Sequence, residues 1–480
     1  MLRASTLATV GAAAGTLMSV AASSRFPLGF VRRAEPSPGI DVNVVIVVGG
    51  AALAVVLLVA LVALPIWRGT ALGSQVPTPT RPARTVGLLR HWGAGPAVVS
   101  GVHLALQPTP DRSPGRVRAS LLGGLLVVTL LSAAATLGAS LQHLVDTPAA
   151  YGWAWDASVE ANTEQAAVGR ALEQDERVDQ WSPMTFNRLV VQGRPVPTVG
   201  VSAEAGAITP TIVDGRAPTA GDEIVLGGRT MDRLGASIGD TVAVTAPSGG
   251  SRDLLVVGQA VFPGLGTYSG SERTELGTGA MTTIGTLAAL GPAVDKGALV
   301  IRFAPGADLD AFREDTTDVL LAAGSDEDEV SITTGPRRPT DIVALGRVRD
   351  APTDLALLMA GLILVQLLIT VFSTGRGRRH DLALFGTIGF VRRQVAATVC
   401  WQSVTLVLVA LVVGVPFGVA VGRTIWTALG GRLGVVAEPI TPVVTLVPLV
   451  SAVLVAGAAL SYAGGVALAR TRPADALRSE

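Results

Sequence analysis

Two uncharged runs flank the segment GRGRRHDLALFGTIGFVRRQ, which occupies residues 375–394. The runs, residues 355–375 and 394–422, are each long enough, at about 1.5 Å of rise per helical residue, to cross a hydrocarbon core about 30 Å thick. The segment between them is therefore predicted to be a short loop between two membrane helices. Arginines lie at both of its ends, and basic residues beside a membrane span mark the cytoplasmic side. These arginines are Arg376, Arg378, Arg379, Arg392 and Arg393.

The middle of this loop is apolar, although a connection between membrane helices can be wholly polar. An apolar and partly helical pattern is formed by Leu382, Leu384, Phe385 and Ile388 with Gly386 and Gly389. A contiguous apolar surface in the cytosol indicates a site that another protein covers. The loop is therefore predicted to bind a partner.

The run DLALFGTIGFVRRQV, residues 381–395, resembles the FtsX-like (MacB-type) permease of ABC transporters. The resemblance extends in general pattern over residues 351–480, through a span that contains Pro416 to the C-terminal ARTRPADALRSE. Asp381 stands where the family more often has Glu. The resemblance implies that a separate ATPase subunit binds the loop 376–394, and that ATP is bound by that subunit and by no cofactor site in this chain. The residues that it assigns to ATPase coupling are Asp381, Leu382, Leu384, Phe385, Ile388, Gly389, Arg392 and Arg393.

Composition indicates a membrane protein. Hydrophobic residues make up 49% of the 480 residues and charged residues 15%, and the mean hydropathy is +0.51. These values are too apolar for an ordinary soluble domain. The net charge of zero conceals a segregation, because residues 146–350 contain 29 acidic and 16 basic residues and carry −13, while the remainder carries +13. The two parts are expected to face different environments.

The N-terminal part, residues 1–67, resembles the end of a first permease repeat with about two membrane helices. Residues 1–24 begin with a basic residue, Arg3, and have an apolar centre diluted by Ser, Thr and Gly, so a membrane helix and a cleaved signal peptide both stay open. Residues 42–67 contain no charge and predict a membrane helix. Comparison with long two-repeat members implies a permease that lacks its first two spans and first external domain. Whether a chain with this N-terminus works is left open.

Residues 68–118 are predicted to be a cytoplasmic linker, because they contain seven arginines against a single acid, Asp111. Within the linker, residues 97–106 are apolar enough for a short helix along the membrane surface, and a plain linker is the alternative. Residues 119–145 are uncharged and predict the next membrane helix.

Residues 146–351 form the predicted extracytoplasmic insert, which is long enough for one or two compact domains. Five β-rich runs between Gly and Pro turns, with two helical patterns, predict an α+β fold. The strands are predicted at residues 189–193, 223–227, 240–246, 253–261 and 298–303, and the helices at residues 161–175 and 309–323. Residues 215–261 resemble the external core domain of MacB-type permeases, with Gly235, Gly239 and Asp240 in tight turns.

Residues 352–480 are predicted to be an FtsX-like permease domain with membrane helices at residues 355–375, 395–422 and 440–469. The fold class is thus an α-helical multi-pass membrane domain of about six membrane helices with an inserted α+β extracytoplasmic domain. Short segments predicted to be cytoplasmic contain 16 basic residues, and the external ones contain 5. This asymmetry places the insert outside the cell membrane and the coupling loop and C-terminus inside.

Residue types that catalysis needs are not grouped in the sequence. Lys296 is the only lysine, and no glycine-rich run precedes it, so the sequence has no P-loop. The four histidines fall on different segments, and none has a second ligand at metal spacing. We expect the chain not to be an enzyme, and we predict no catalytic, cofactor-binding or metal-binding residues.

Two functions follow from this organisation. The first is a permease subunit of an ABC transporter, which transmits ATPase movement across the membrane to the external domain. The alternative is a membrane-anchored binding or regulatory module without transport activity. The substrate or output stays open among lipid, lipoprotein, peptide, drug and control of a cell-wall enzyme. The sequence contains one coupling loop, so the expected partners are an ABC ATPase, a second permease half or second copy of the chain, and the bilayer, but no nucleic acid; the oligomeric state stays open.

Overall fold

The computed structural model of the protein describes residues 95–106, 115–160, 165–204, 206–265, 273–291, 297–322, 331–347, 349–377 and 391–469, and four isolated positions before them. The helices are α1 (Pro96–Leu106), α2 (Gly115–Asp146), α3 (Gln165–Leu172), α4 (Gly228–Leu234), α5 (Ile284–Leu290), α6 (Leu309–Ala322), α7 (Thr340–Arg347), α8 (Ala351–Gly377), α9 (Arg392–Leu433) and α10 (Val443–Ala469). The strands are β1 (Ala157–Glu160), β2 (Val178–Val191), β3 (Arg194–Val201), β4 (Ile212–Gly215), β5 (Glu223–Gly227), β6 (Thr241–Thr245), β7 (Ser251–Ala260), β8 (Ala280–Thr283), β9 (Gly297–Phe303) and β10 (Ser331–Thr334).

The chain divides into two compact units. The first takes in the described parts of Met1–Thr129, Met359–Val415 and Pro448–Glu480, and the second takes in Leu130–Leu358 and Pro416–Val447. Helices α2, α8, α9 and α10 each contribute residues to both units.

Small residues let the helices of the first unit approach closely, as is common between membrane helices. A Cβ added to Gly101 of α1 would lie 2.7 Å from the carbonyl oxygen of Thr398 in α9. A Cβ at Gly414 would lie 2.8 Å from a methyl group of Val128 in α2, and one at Gly465 of α10 would lie 2.9 Å from Cα of Ala396. Helix α9 therefore contacts α1, α2 and α10 within this unit.

Three helices in the described part of the chain are long and apolar enough to cross a bilayer, at Leu121–Asp146, Arg393–Gly431 and Val443–Val466. They overlap three of the six predicted spans. A fourth predicted span, residues 355–375, lies within α8. The first two, residues 1–24 and 42–67, lie outside the described residues. The number of membrane helices therefore stays a prediction.

Helix α9 is longer than its predicted span, residues 395–422. It contains 42 residues, about 63 Å of helix and roughly twice the thickness of a hydrocarbon core. Arg423 ended the uncharged run but does not end the helix, because Trp426 is buried one turn later. The helix ends at Gly434, whose φ of 70° lets its amide donate to the carbonyl of Gly430 at 2.9 Å.

Six strands of the second unit close into a small barrel. Each strand pairs with the next in the ring β2, β3, β8, β5, β7 and β6. The ring is completed where Val190 and Val191 of β2 pair with Thr245 and Val244 of β6. One apolar face of these strands fills the interior of the barrel; its fully buried residues include Leu189, Val191, Ile224, Leu226, Val242, Val244, Leu254 and Val256.

Strand β2 continues beyond the barrel into a second sheet with the order β10-β1-β9-β2. Helices α3 and α6 contribute to its core through Val168, Leu172, Phe312 and Leu320. Phe312 packs edge-on against Phe303 at 4.8 Å between ring centroids. Arg177 lies over the Phe312 ring at 5.5 Å and reaches the carboxylates of Asp175 and Asp315 at 2.8 and 2.9 Å.

A strand is present at each of the five runs predicted from sequence, and several of the ends differ. The largest difference is in β2, which begins at Val178 and not at residue 189. The run 189–193 ends as a strand at Val191, because Gln192 and Gly193 adopt φ values of 46° and 77° and form the turn into β3. Gly235 and Gly239 also have positive φ, and the Asp240 carboxylate accepts a hydrogen bond from the amide of Ser237 at 2.8 Å. The turn roles predicted for these three residues are confirmed.

Candidate functional site

The loop predicted to bind an ATPase falls almost entirely outside the described residues. This holds for Asp381, Leu382, Leu384, Phe385, Ile388 and Gly389. Arg392 and Arg393 are the first two residues of α9, and Arg393 is exposed. The coupling role of all eight residues therefore stays a prediction.

A different site lies in the second unit, where helix ends meet the barrel. We call it the helix–sheet joint, and it consists of residues 140–155, residues 426–440 and the strand residues that they cover. Residues 140–155 comprise the last turns of α2 and a short 3₁₀ turn, Pro148–Tyr151. Residues 426–440 comprise the end of α9 and the chain towards α10. The joint therefore includes the ends of two long helices, α2 and α9, and the chain that leads from α9 towards α10.

The joint has an apolar core that is continuous with the outer face of the barrel. Leu144, Tyr151, Trp426 and Val435 are buried in the same cluster as the strand residues Val199, Val225, Met281 and Val300. Because these apolar side chains are buried together, the hydrophobic effect holds the helix ends against the sheet. We therefore expect the helix ends and the barrel to move as one body.

Hydrogen bonds join the two chain segments of the joint directly. The amide of Val436 donates to the carbonyl of Ala150 at 3.1 Å, and the amide of Ile440 donates to Oγ of Ser140 at 3.0 Å. The carbonyl of Ala149, the residue before Ala150, accepts a hydrogen bond from Oγ1 of Thr211 at 2.7 Å. The carbonyl of Thr211 in turn accepts a hydrogen bond from the amide of Val261, just after β7. A chain of bonds thus runs from the α9–α10 connection to the barrel.

Two glycines let the α9–α10 connection touch the barrel backbone. Gly277 lies in the turn before β8, and Gly434 ends α9. Both have a φ of 70°, and a Cβ built on Gly277 would lie 2.9 Å from Cα of Gly434. Real Cβ atoms do not approach a backbone carbon this closely, and positive φ adds strain for any residue with a Cβ. Glycine is therefore required at both positions.

The chain that leaves the second sheet also returns to the joint. Ile342 of α7 is fully buried in the same apolar core. Gly346 of α7 faces Val145 of α2, and a Cβ on Gly138 of α2 would lie 3.1 Å from the Pro352 ring at the start of α8. The ends of α2 and α9 therefore pack around one core together with α7, and the start of α8 packs against α2.

The joint contains indole groups without hydrogen-bond partners among the described residues. Trp153 and Trp155 pack with 4.8 Å between ring centroids. Their Nε1 atoms and that of Trp426 are buried and have no acceptor within that part of the chain. Each unpaired buried donor destabilises the fold by about 1–3 kcal/mol. The favourable burial of the indole rings must therefore outweigh the cost of their unpaired N–H groups. The rim is polar, with Nε2 of His143 lying 3.5 Å from Oε2 of Glu438.

The most strongly shifted carboxyl group in the insert stabilises a loop. The Glu223 carboxylate accepts hydrogen bonds from both terminal nitrogens of Arg216 and from the amides of Thr219 and Ala220, at 2.9 and 3.1 Å from the amides. These bonds, the Arg216 bonds first, lower the pKa of Glu223 from 4.5 to about 2. The arrangement closes residues 216–223 into a turn before β5. Each of these bonds joins Glu223 to a residue of the turn, so we assign the arrangement a structural role.

Replacing Glu223 by glutamine should destabilise the insert, because the buried side chain would lose its charge-assisted bonds to Arg216. We expect a loss of about 2 kcal/mol in the free energy of unfolding at neutral pH. Since the pKa is depressed on folding, the contribution is present above pH 4.5 and is lost as the pH falls towards 2. Thermal unfolding followed across this range tests both parts. Asp253→Asn, at an exposed carboxylate on β7, is the control; equal midpoints for the two variants would contradict the assignment.

Sequence reasoning did not identify the joint. Its signal was present in YGWAWD, residues 151–156, which places three aromatic residues immediately after a predicted membrane helix. Aromatic residues concentrate where membrane helices leave the bilayer. The other segment of the joint, residues 426–440, has only one such aromatic residue, Trp426. The burial of Trp426 depends on contacts with residues that are distant in the sequence.

Comparison with protein-family models gives no match, and comparison with curated protein sequences gives none either. Among solved structures, the periplasmic region of MacB from Actinobacillus actinomycetemcomitans is similar over 40% of this chain and 94% of its own, with 11% identity and a TM-score of 0.27. A domain of a putative permease protein from Porphyromonas gingivalis is similar over 41% of this chain and 97% of its own, with 13% identity and a TM-score of 0.26. TM-scores of this size establish no common fold.

Proposed function

We propose that this chain is the permease subunit of an ABC transporter of FtsX/MacB type. In this function, a separate ATPase binds the cytoplasmic loop 376–394, and its closure moves the membrane helices. The helices carry the movement to residues 146–351 on the extracytoplasmic side of the cell membrane. The observation that carries the proposal is the helix–sheet joint, because a domain that shares its core with the ends of two long helices, α2 and α9, must follow them.

The same observation disfavours a passive anchor. An anchor needs only one helix and a flexible connection, whereas the ends of both α2 and α9 are packed into the joint. The apolar loop residues of the sequence give the second support, because an anchor needs no apolar surface in the cytosol. A binding or regulatory module without transport activity is the outcome if no ATPase associates.

The proposal does not include a hydrated path through the helices. The uncharged runs of α2, α9 and α10 contain only scattered Ser, Thr and Gln, and in α2 the hydroxyl groups of Thr136 and Ser140 donate to the helix's own carbonyls at 2.8 Å. Pores for ions or polar solutes need a polar lining. The cargo or output is therefore handled by the external domain, and a second permease half or second copy supplies the other coupling loop.

Association with an ATPase tests the proposal. The tagged chain is purified from its native membrane, and the recovered ATPase is identified by mass spectrometry and assayed for ATP hydrolysis. The double substitution Phe385→Asp and Ile388→Asp should reduce recovery about 30-fold, the equivalent of about 2 kcal/mol for loss of an aromatic interface anchor. Membrane insertion should be unchanged.

The control is the same pair of apolar-to-Asp changes on the insert, at the exposed residues Val213 and Ile238. This control variant should recover the ATPase as the parent protein does. Recovery that is equal for the loop variant and the control would refute the assigned loop, and the lack of any ATPase with the parent protein would favour the anchored module.

A further inference from the structure

The outer part of α9, within the second unit, is buried on one side only. Successive residues of an α-helix are about 100° apart around its axis, so Gly422, Trp426 and Gly430 share one arc of about 80°. All three are buried. Gly422 packs on Thr136 of α2, and Trp426 lies in the joint core. Most of the remaining surface of residues 417–431 is exposed.

This exposed surface has an apolar side and a polar side at the same height. The apolar side contains Phe417, Ile425 and Leu429, whose exposed fractions are 61%, 47% and 41%, on an arc of about 120°. Arg423 and Thr427 are exposed on the other side of the buried arc. An apolar stripe next to a polar one indicates that the stripe faces an apolar neighbour.

Charged residues of α8 and α9 locate the outer boundary of the hydrocarbon core. Arg423 follows Gly422, which packs on Thr136 of α2. Asp354 is exposed in the first turn of α8, which packs on Gly138 of α2. Ionised side chains are costly in hydrocarbon. The boundary therefore lies close to residues 136–138 of α2.

The bilayer core cannot cover the outer end of the apolar side of α9. Ile425 and Leu429 both lie beyond Arg423, and Leu429 is about 9 Å further along the helix axis. A neighbour that covers them must be apolar and must protrude from the core to about the same height.

Residues 42–67, which lie outside the described residues, have both properties. They are predicted to be a membrane helix of 26 uncharged residues, about 39 Å long and about 9 Å longer than the hydrocarbon core. Trp67 and Arg68, at the start of the basic linker, hold its inner end at the cytoplasmic surface. The excess length therefore protrudes on the outer side, where the sequence is VNVVIV, residues 42–47.

We propose that the outer turns of the helix 42–67 pack on the apolar side of α9, between Phe417 and Leu429. In the proposed topology α9 runs outward and residues 42–67 run inward, so the two helices are antiparallel. Each covers the apolar surface of the other that protrudes from the core. The linker of residues 68–95 can reach about 90 Å when extended, so it allows this placement.

The contact gives the N-terminal part of the chain a role at the joint. Ile425 precedes Trp426, which is buried in the joint core, so a helix on the apolar side supports α9 where α9 meets the barrel. The contact involves no ATPase. It therefore goes beyond the proposed function, and a purification without an ATPase would leave it unaffected.

Disulfide cross-linking in membranes tests the contact in the full chain. The protein carries Cys400→Ser, which removes its single cysteine, and Leu429→Cys. A protease site inserted after Ser74 lets cleavage separate the two parts of the chain unless a disulfide joins them. The second cysteine is introduced at one of four consecutive positions, which cover one helical turn: Asn43→Cys, Val44→Cys, Val45→Cys or Ile46→Cys.

At least one of the four positions should face Leu429, and oxidation should there link the two parts in about half of the chains. The control carries Thr427→Cys in place of Leu429→Cys, on the polar side at the same height, and should give no link. The absence of a link at all four positions would overturn the proposal. A disulfide between two chains, seen as a product of twice the mass, would also overturn it, because a second copy would then cover α9.

Labelling with a water-soluble maleimide supplies a second readout that needs only one added cysteine. In the Cys400→Ser background, Leu429→Cys should react at least about tenfold more slowly than Thr427→Cys, because the N-terminal helix covers it. Both positions are exposed on α9, so both variants should fold, which thermal unfolding checks. Equal labelling rates would show that the apolar side faces water and would overturn the proposal.

Discussion

Replacing Gly434 by alanine is expected to lower the free energy of unfolding by about 3 kcal/mol. About 1 kcal/mol comes from forcing a residue with a Cβ into positive φ, and about 2 kcal/mol comes from displacing backbone in a packed contact. The new Cβ would lie 2.9 Å from the amide nitrogen of Gly277, whose turn precedes β8. Separating the two turns would also weaken the neighbouring bond from Val436 to Ala150.

The matched control is Gly235→Ala. Gly235 has a φ of 66°, close to the 70° of Gly434, but an added Cβ there meets nothing within 4 Å. The control should therefore lose only the backbone contribution of about 1 kcal/mol. Thermal unfolding in nanodiscs, followed by tryptophan fluorescence, measures both variants, since Trp153, Trp155 and Trp426 lie in the joint. Equal losses would mean that the Gly277 contact contributes nothing.

The Gly434→Ala substitution should also affect the coupling between α9 and the barrel. If the joint transmits helix movement, Gly434→Ala should uncouple the barrel from α9 while leaving the barrel core intact, because that core belongs to a separate apolar cluster. Hydrogen exchange should then increase by a larger factor at Val436 and Ile440 than at Ile224 and Val242. Exchange that rises equally at all four amides would show global unfolding and no specific role for the joint.

Five of the ten strands described in the insert could be predicted, because their signals are local. Alternating or continuous β-branched runs with glycine turns locate β5, β6 and β9 within a residue or so. Strands β1, β4, β8 and β10 contain only four residues each, too few for a periodicity to emerge. Strands β1, β4 and β8 are fixed by pairing with longer strands, and β10 by pairing with β1. The eight residues of β3 were not predicted either, since Pro195 and Pro197 interrupt the run.

Closure of the barrel could not be predicted for a similar reason. It depends on two residue pairs between β2 and β6, about 55 positions apart in the chain, and no local pattern encodes so distant a pairing. The joint could not be predicted for the same reason, because the hydrogen bond between Ala150 and Val436 joins residues that are even further apart in the sequence. Membrane helices differ, because a long uncharged run is itself a local signal. The four predicted spans that fall on described residues are all helical, and the largest difference is at the end of α9, where helix continues past Arg423.

The close packing of α2 on α9 in the second unit leads to the other large effect. Replacing Gly422 by leucine is expected to cost about 3 kcal/mol, because a Cβ there would already lie 2.8 Å from Cβ of Thr136 and 3.0 Å from the carbonyl oxygen of Ala133. The two helices would separate locally. The bond from the Ile440 amide to Ser140, one turn of α2 beyond Thr136, would weaken with them.

Gly431→Leu on the same helix is the control that isolates packing from helix propensity. An added Cβ at Gly431 meets nothing within 4 Å, so leucine there should be neutral or should stabilise by up to about 1 kcal/mol through its better helix propensity. Because both variants make the same chemical change in α9, the difference between their unfolding midpoints measures the helix contact alone. Hydrogen exchange at Ile440 should rise only in the Gly422 variant. If leucine at Gly422 were as well tolerated as at Gly431, α2 and α9 would not be held at this distance in the bilayer, and a helix shift could not reach the joint by this route.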